Sequence, residues 1–332
     1  MVTTRFTKAF GVAHPIVQAG MSWASSNPAL PAAVSNTGGL GVLAAGPMYP
    51  EDFRAALRAL KTATNKPFAV NVPLYRQQAD EILDIAIEEK APILIASQGG
   101  PKKYLGRFKA AGIRCIHVVA SETHALKALE TGVDAIIAVG GEAGGHPPPD
   151  QVSTLVLVRA IAKAAPEAIL IAGGGVADGA GIVAMLALGA DAAQLGTRYL
   201  ATKEASVHEA YKHKVLEIGI SGTALVGRGM SPIRMIANDF SARFLEAEAA
   251  GADIEARRAI FSGSSLKLAA LDGDVANGKI EAGQSAGLVD DLPGAGELTL
   301  RLITEYRSAL ARLSGLNIAL ESSLGRSLQG VL

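Results

Sequence analysis

Short runs rich in Val, Ile, Leu and Ala recur along the chain at 15–19, 40–45, 68–72, 93–97, 114–120, 135–139, 169–172 and 192–195, separated by segments long enough for helices. Most are apolar throughout rather than alternating with polar residues. That is the pattern of parallel strands covered on both faces, which need helical crossovers between them. The intervening segments carry helix signals. Pro50 opens one that runs to residue 61, with Glu51 and Asp52 in its first turn, where negative charge suits the positive end of the helix dipole. Another, 80–90, places Ile82, Leu83, Ile85 and Ala86 on one stripe with charges opposite. Eight such β-α units predict an α/β protein of the TIM (β/α)8 barrel class.

The joints between elements differ at the two ends of the predicted strands. Gly132-Val133-Asp134-Ala135 and Gly189-Ala190-Asp191-Ala192 enter strands through the same turn, with glycine at the left-handed position and an aspartate able to accept from turn amides, so Asp134 and Asp191 read as structural. The unusual residues lie at the opposite ends: Gly20-Met21-Ser22, Asn71, Gln98-Gly99-Gly100, the loop Gly141-Glu142-Ala143-Gly144-Gly145-His146, Gly173-Gly174-Gly175 and Gly196-Thr197. Barrel enzymes carry their chemistry at the carboxyl ends of the strands.

The β-α rhythm stops near residue 205. The segments 205–216 and 241–260 read as charged, alanine-rich helices, joined by a Gly/Ser/Pro-containing stretch at 220–232, and 298–313 as an amphipathic helix. The resulting division is a barrel over 1–204, a helical subdomain over the barrel's carboxyl face at 205–273, and a C-terminal segment at 274–332 that packs back on the barrel. The tail from residue 320 has no assignment.

Composition narrows the partners. Lys plus Arg number 31 and Asp plus Glu 31, for a formal charge of zero, and no long basic run provides a nucleic-acid footprint. The lone Cys115 lies in an apolar run, which fits a buried thiol in a reducing compartment. No signal-peptide pattern opens the sequence, and the most apolar region, 168–195, is interrupted by Asp178, Asp191 and glycines, so a cytoplasmic protein without membrane contact is expected. Small-molecule chemistry remains, and a homodimer is left open.

Within that frame His146 is the leading catalytic candidate, because an imidazole titrates near neutrality and this one sits on a glycine loop directly after the sixth predicted strand. The paired glycine loops after the seventh and eighth strands suit a phosphate: exposed amides bind anions, glycine removes the steric obstacle, and Thr197 adds a hydroxyl. Arg198 either adds charge there or points outward. Asn71 is placed to read a heterocycle edge, and Gly20-Met21 to offer close backbone and a polarizable side chain to a flat ring. No metal site is expected: His208 and His213 are five apart, and neither Cys-x-x-Cys nor His-Glu-x-x-His occurs. His14, His117 and His124 read as structural or solvated. Gly283-Gln284-Ser285-Ala286-Gly287 spells Gly-x-Ser-x-Gly, but the polar stretch before it is no buried strand, which argues against a serine nucleophile.

These residues resemble those of the FMN-dependent nitronate monooxygenases and the related flavin-type enoyl-acyl carrier protein reductases. The resemblance runs over nearly the whole chain, through Pro15-Ile16-Val17-Gln18-Ala19-Gly20-Met21, Asn36-Thr37-Gly38-Gly39-Leu40-Gly41, Lys66-Pro67-Phe68-Ala69-Val70-Asn71, Glu142-Ala143-Gly144-Gly145-His146, Gly174-Gly175-Val176-Ala177-Asp178-Gly179, Gln194-Leu195-Gly196-Thr197-Arg198 and Ala282-Gly283-Gln284-Ser285-Ala286-Gly287-Leu288. It implies FMN held by Gly20, Met21, Ser22, Asn71, Gly144, Gly173, Gly174, Gly175, Gln194, Gly196 and Thr197, with His146 beside the ring. The absence of Gly-x-Gly-x-x-Gly after an N-terminal strand agrees with FMN rather than FAD. Three departures from relatives are the run Pro147-Pro148-Pro149 after the histidine, Val118 where some carry lysine, and Ser22 where some carry glutamine. The first activity implied is oxidation of nitronates or nitroalkanes with oxygen. The alternatives are an NAD(P)H-dependent reductase of an enoyl thioester or quinone, and a flavin-binding module without turnover. Either enzymatic role is expected to make turnover titrate near neutrality through His146.

Overall fold

The computed structural model describes residues 2–328, with side chains as far as residue 316. Eight parallel strands, β1 (Ile16–Gln18), β2 (Gly41–Ala44), β3 (Phe68–Pro73), β4 (Ile93–Ser97), β5 (Arg114–Val119), β6 (Ala135–Val139), β7 (Leu170–Gly173) and β8 (Ala192–Leu195), hydrogen-bond in the order β1-β8-β7-β6-β5-β4-β3-β2. The ring closes where Leu40 donates to the Ile16 carbonyl at 2.8 Å and accepts from Gln18 at 3.0 Å. Each strand lies within a residue or two of its predicted run, and the TIM barrel expected from the sequence is present.

Strand pleating sorts the side chains into two cores. Phe68, Val70, Leu94, Ala96, Cys115, Ile136 and Ala138 face the surrounding helices. Ala69, Ile93, Ile95, Ile116, Ile137, Ile171 and Ala192 fill the barrel interior, and Phe6 and Phe10 of the N-terminal helix Arg5–Phe10 join that inner cluster. Cys115 is core, as expected, and burial pushes its thiol pKa up to about 12.

The two turn aspartates are structural. Asp134 accepts the Cys115 amide at 2.7 Å; Asp191 accepts the Leu170 amide at 3.1 Å and takes the forked guanidinium of Arg5 at 2.9 Å to each oxygen. Asp191→Ala should therefore destabilise the fold by about 2 kcal/mol, the cost of stranding a buried amide and losing charge-assisted bonds, discounted for the half-exposed arginine. Denaturant unfolding measures this, and a change below a few tenths of a kcal/mol would contradict it.

Beyond the barrel the sequence-based picture needs amending. The stretch 220–232 and its flank form a hairpin, β9 (Thr223–Val226) antiparallel to β10 (Ile233–Ile236), turning through Gly227 and Gly229 at φ +81° and +78°. Its four-residue strands are too short to stand out from the loop composition around them. The helix expected at 205–216 begins only at Glu209–Glu217, where the His208 ring caps it by accepting from Ala210. The one expected at 241–260 is two helices, Asp239–Ala249 and Ile254–Ser262, separated at Gly251 with φ +76° and restarted by the Asp253 cap. The final helix, Ala295–Leu328, packs along the helix Gly179–Ala187, between β7 and β8. The end of the unassigned tail, 329–332, lies outside the described residues.

Candidate active site

On most of the strands the next inward position above the packed interior lines a cavity of about 660 Å³ at the carboxyl end of the barrel. By the two-residue period these positions are Asn71 above Ala69, Val118 above Ile116, Val139 above Ile137, Gly173 above Ile171 and Gln194 above Ala192, with Ile95 beside them. The loops that follow supply the walls. Gly20, Met21, Ser22, Gly144, His146, Gly174, Gly175, Gly196 and Thr197 all line the same cavity, so every site residue singled out from the sequence converges there.

The glycines are where the backbone has no room. A Cβ on Gly20 would sit 2.5 Å from Cβ of Asn71, whose amide is held by donating to the Ile95 carbonyl at 3.2 Å. A Cβ on Gly144 would sit 2.5 Å from the Ala282 carbonyl carbon. Gly174 and Gly175 have φ +112° and +74°, the first outside any conformation that suits a side chain. Among the described residues the amides of Gly174, Gly175, Gly196 and Thr197 have no protein partner. The start of the following helix is different: Glu305 accepts from Gly179 at 2.9 Å and Asp178 from Gly181 at 2.7 Å. The unpartnered amides therefore lie in the loops, not at that helix terminus. Arg198 brings no charge to them, because its buried guanidinium is turned onto Asp291, donating to the main-chain carbonyl at 3.2 Å and pairing with the carboxylate.

The His146 loop is fixed from two directions. Gly145 and Arg234 of β10 exchange backbone hydrogen bonds at 3.0 and 2.8 Å, and the Arg234 guanidinium donates to the Gly141 carbonyl at 3.0 Å and to Gln151 at 2.9 Å. On the other side the Glu142 carbonyl accepts from Gln284 at 2.9 Å, and the Glu142 carboxylate accepts from the amide and hydroxyl of Thr154, each at 2.8 Å. Despite the run Pro147-Pro148-Pro149, His146 is a lining residue of the cavity, as is Pro148. The protein around the ring holds its pKa below the ordinary imidazole value, through desolvation first and the Lys279 charge second. Relative to a free imidazole the neutral form is thus favoured, and the expected titration is displaced toward lower pH.

Several cavity residues were not among those read from the sequence. His124, taken as structural or solvated, lines the cavity and meets the buried His117 edge-on at 5.5 Å between centroids. His117 itself bonds Tyr104 at 3.0 Å, and His14 bonds Tyr306 at 2.7 Å, as structural histidines do. Trp23, and Gln98 already singled out after the fourth strand, line the cavity with left-handed backbones, φ +67° and +54°, a conformation that costs ~1–2 kcal/mol in a non-glycine residue. Gly283 and Ser285 come from the segment that spells Gly-x-Ser-x-Gly, and Glu281 from the polar stretch just before it. That segment follows irregular chain and forms a 3-10 turn, Gln284–Leu288, so no nucleophile elbow exists; instead Gly283 donates to the Thr197 hydroxyl at 2.9 Å and leaves that hydroxyl's proton free to donate. No cluster of metal-ligating side chains occurs among the described residues.

A protein-family model described as nitronate monooxygenase matches residues 3–86 and 77–305. The chain is 34% identical to nitronate monooxygenase of Paraburkholderia phytofirmans, over 91% of this chain and 95% of that protein. It is 31% identical to the (3aS,4S,5R,7aS)-5-hydroxy-7a-methyl-1-oxo-octahydro-1H-indene-4-carboxyl-CoA dehydrogenase of Rhodococcus jostii, over 94% and 97% of the two chains. Among solved structures FabK from Thermotoga maritima superposes with a TM-score of 0.89 at 38% identity, over 95% of this chain and all of that one.

Proposed function

From the premise that the chain belongs to the nitronate monooxygenase family, and so is a flavin-dependent oxidoreductase, we propose that it binds FMN in the barrel cavity and oxidises nitronates or nitroalkanes with oxygen. The observation carrying this reading is the convergence of His146, Asn71, Gln194 and the unpartnered amides of two glycine loops on one cavity. The residues fit the cofactor. Gly174, Gly175, Gly196 and Thr197 offer amides and a hydroxyl to a single phosphate, and Gly20 and Gly144 lie where side chains would collide with packed neighbours. Asn71 and Gln194, which line the cavity, would offer their side-chain amides to the flavin. Bound there, the flavin supplies the redox centre between substrate and acceptor.

The chain's own residues then bind and position. Neutral His146 accepts the α-proton of a neutral nitroalkane at its free ring nitrogen, or donates its N–H to a substrate oxygen; the cationic anchor for a nitronate is the lesser role, given the lowered pKa. Arg234 and Glu142 hold the loop that carries it.

A second reading, an NAD(P)H-dependent reductase of a thioester or quinone in the same cavity, is favoured by the Rhodococcus jostii relative, whose name specifies a CoA compound, and by the overlap with FabK. Anaerobic mixing of the purified protein with propyl-2-nitronate, NADH and NADPH in turn separates the two. Bleaching of the flavin by nitronate, with none by the pyridine nucleotides, is the expected result; bleaching by NAD(P)H alone reverses the order.

A further inference from the structure

Glu281 is a cavity-lining residue whose carboxyl forms no hydrogen bond or ion pair among the described residues. Its main chain is held: the Tyr211 hydroxyl donates to its carbonyl at 2.8 Å, and its own amide donates to Lys279 at 3.0 Å. Its carboxylate stands against the loop that carries His146, since a Cβ built on Gly145 would lie 3.0 Å from Oε2. The titratable groups acting on it are Lys279 on its own segment and Tyr211 from the helix Glu209–Glu217, while His146 and Glu142 flank Gly145 in the loop after β6 and Arg234 of β10 holds that loop. None pairs with it. Arg234 is occupied by Gly141, Thr223 and Gln151, and Glu142 by Thr154. Lys279 donates to the Phe261 carbonyl at 2.9 Å with its ammonium 3.5 Å from the Phe261 ring centroid, and it does not line the cavity.

We propose that Glu281 tunes the charge preference of the substrate space: with its proton in place it donates a hydrogen bond to a substrate oxygen, a nitro, nitronate or carbonyl group, and without the proton it weakens the binding of anions there. A carboxyl without a protein partner, on a residue that lines a substrate-sized space, has no structural partner to serve, and charging it beside an anion is unfavourable at any distance the cavity allows. Burial, opposed by the Lys279 charge, pushes this carboxyl up to about 7, so the change falls at working pH. Deprotonation of Lys279, lowered to about 8, acts in the same direction but from outside the cavity and higher on the pH scale.

The proposal rests on the reading of this cavity as the flavin and substrate site, and its test works without turnover. Propionate and propanamide are an inert anion and its neutral isostere; their binding to the flavin-loaded protein is followed by perturbation of the flavin absorbance between pH 6 and 9. Propionate affinity should fall about tenfold or more across pH 7 in the wild type while propanamide affinity stays level. In Glu281→Gln, an uncharged isostere, the fall should shrink to the shallower change centred near the Lys279 ionisation. A propionate affinity that is level in the wild type, an undiminished fall in the variant, or no binding of either probe below pH 7 would overturn the proposal. Flavin content of the variant reports its folding; should it be lost, Glu281→Met under the same titration replaces it. Turnover of propyl-2-nitronate is scored separately, so its absence removes the nitronate reading and leaves the binding result standing.

Discussion

His146→Ala should lower turnover of the best substrate by about a hundredfold or more while the flavin remains bound, the size expected when a positioned acid–base group is removed. The ring is the one imidazole on a loop directly after a barrel strand that also faces the cavity beside the substrate space, and that loop is fastened by Arg234, Glu142 and Gln284 rather than by the histidine itself. Removing the side chain should leave the loop in place. The pH profile gives a second readout. Because the folded-state pKa lies below the ordinary imidazole value, the neutral form is lost only as pH falls through that lowered value, so the acid limb of kcat should lie below the 6.5 of a free imidazole and vanish in the variant. Near-normal kcat in His146→Ala across this range, or an acid limb that survives the substitution, would show the residue to be structural.

Gly175→Leu should release the flavin, cutting its content in purified protein at least tenfold without unfolding the barrel. The position has φ +74°, which costs a side-chain-bearing residue ~1–2 kcal/mol, and a Cβ would already lie 3.4 Å from Cβ of Glu142. The remaining leucine atoms must then extend into the space beside the free amides of Gly174 and Gly175. Strain alone is a small part of a folding free energy of ~5–15 kcal/mol, so circular dichroism should stay close to wild type while absorbance near 450 nm is lost, a wavelength of about that value being the ordinary flavin band. Stoichiometric flavin in this variant would remove the phosphate from this loop.

The two predictions draw on different depths of the sequence. The barrel was legible because each strand is buried on both faces and each joint carries its own signal: a Gly-x-Asp turn before β6 and β8, and glycine or amide residues after them. Those signals are local. The inward positions Asn71, Gly173 and Gln194 were also accessible, since a period of two places them above apolar interior residues. The hairpin β9–β10 was not, because a pair of four-residue strands gains its stability from Phe240, Phe244 and the bridge to Gly145, which are distant in sequence.

By itself, then, the sequence determined the eight-stranded barrel, the end of it that bears the chemistry, and the loops carrying His146 and the glycines, since all of these follow from residue type and spacing within one β-α unit. Only the tertiary structure decided that Arg198 turns onto Asp291, that His124 and Glu281 line the cavity, and that the pKa of His146 is held below that of a free imidazole. Each of those outcomes depends on which groups from remote segments surround a side chain, and so on desolvation and hydrogen-bond partners that exist only once the chain has packed.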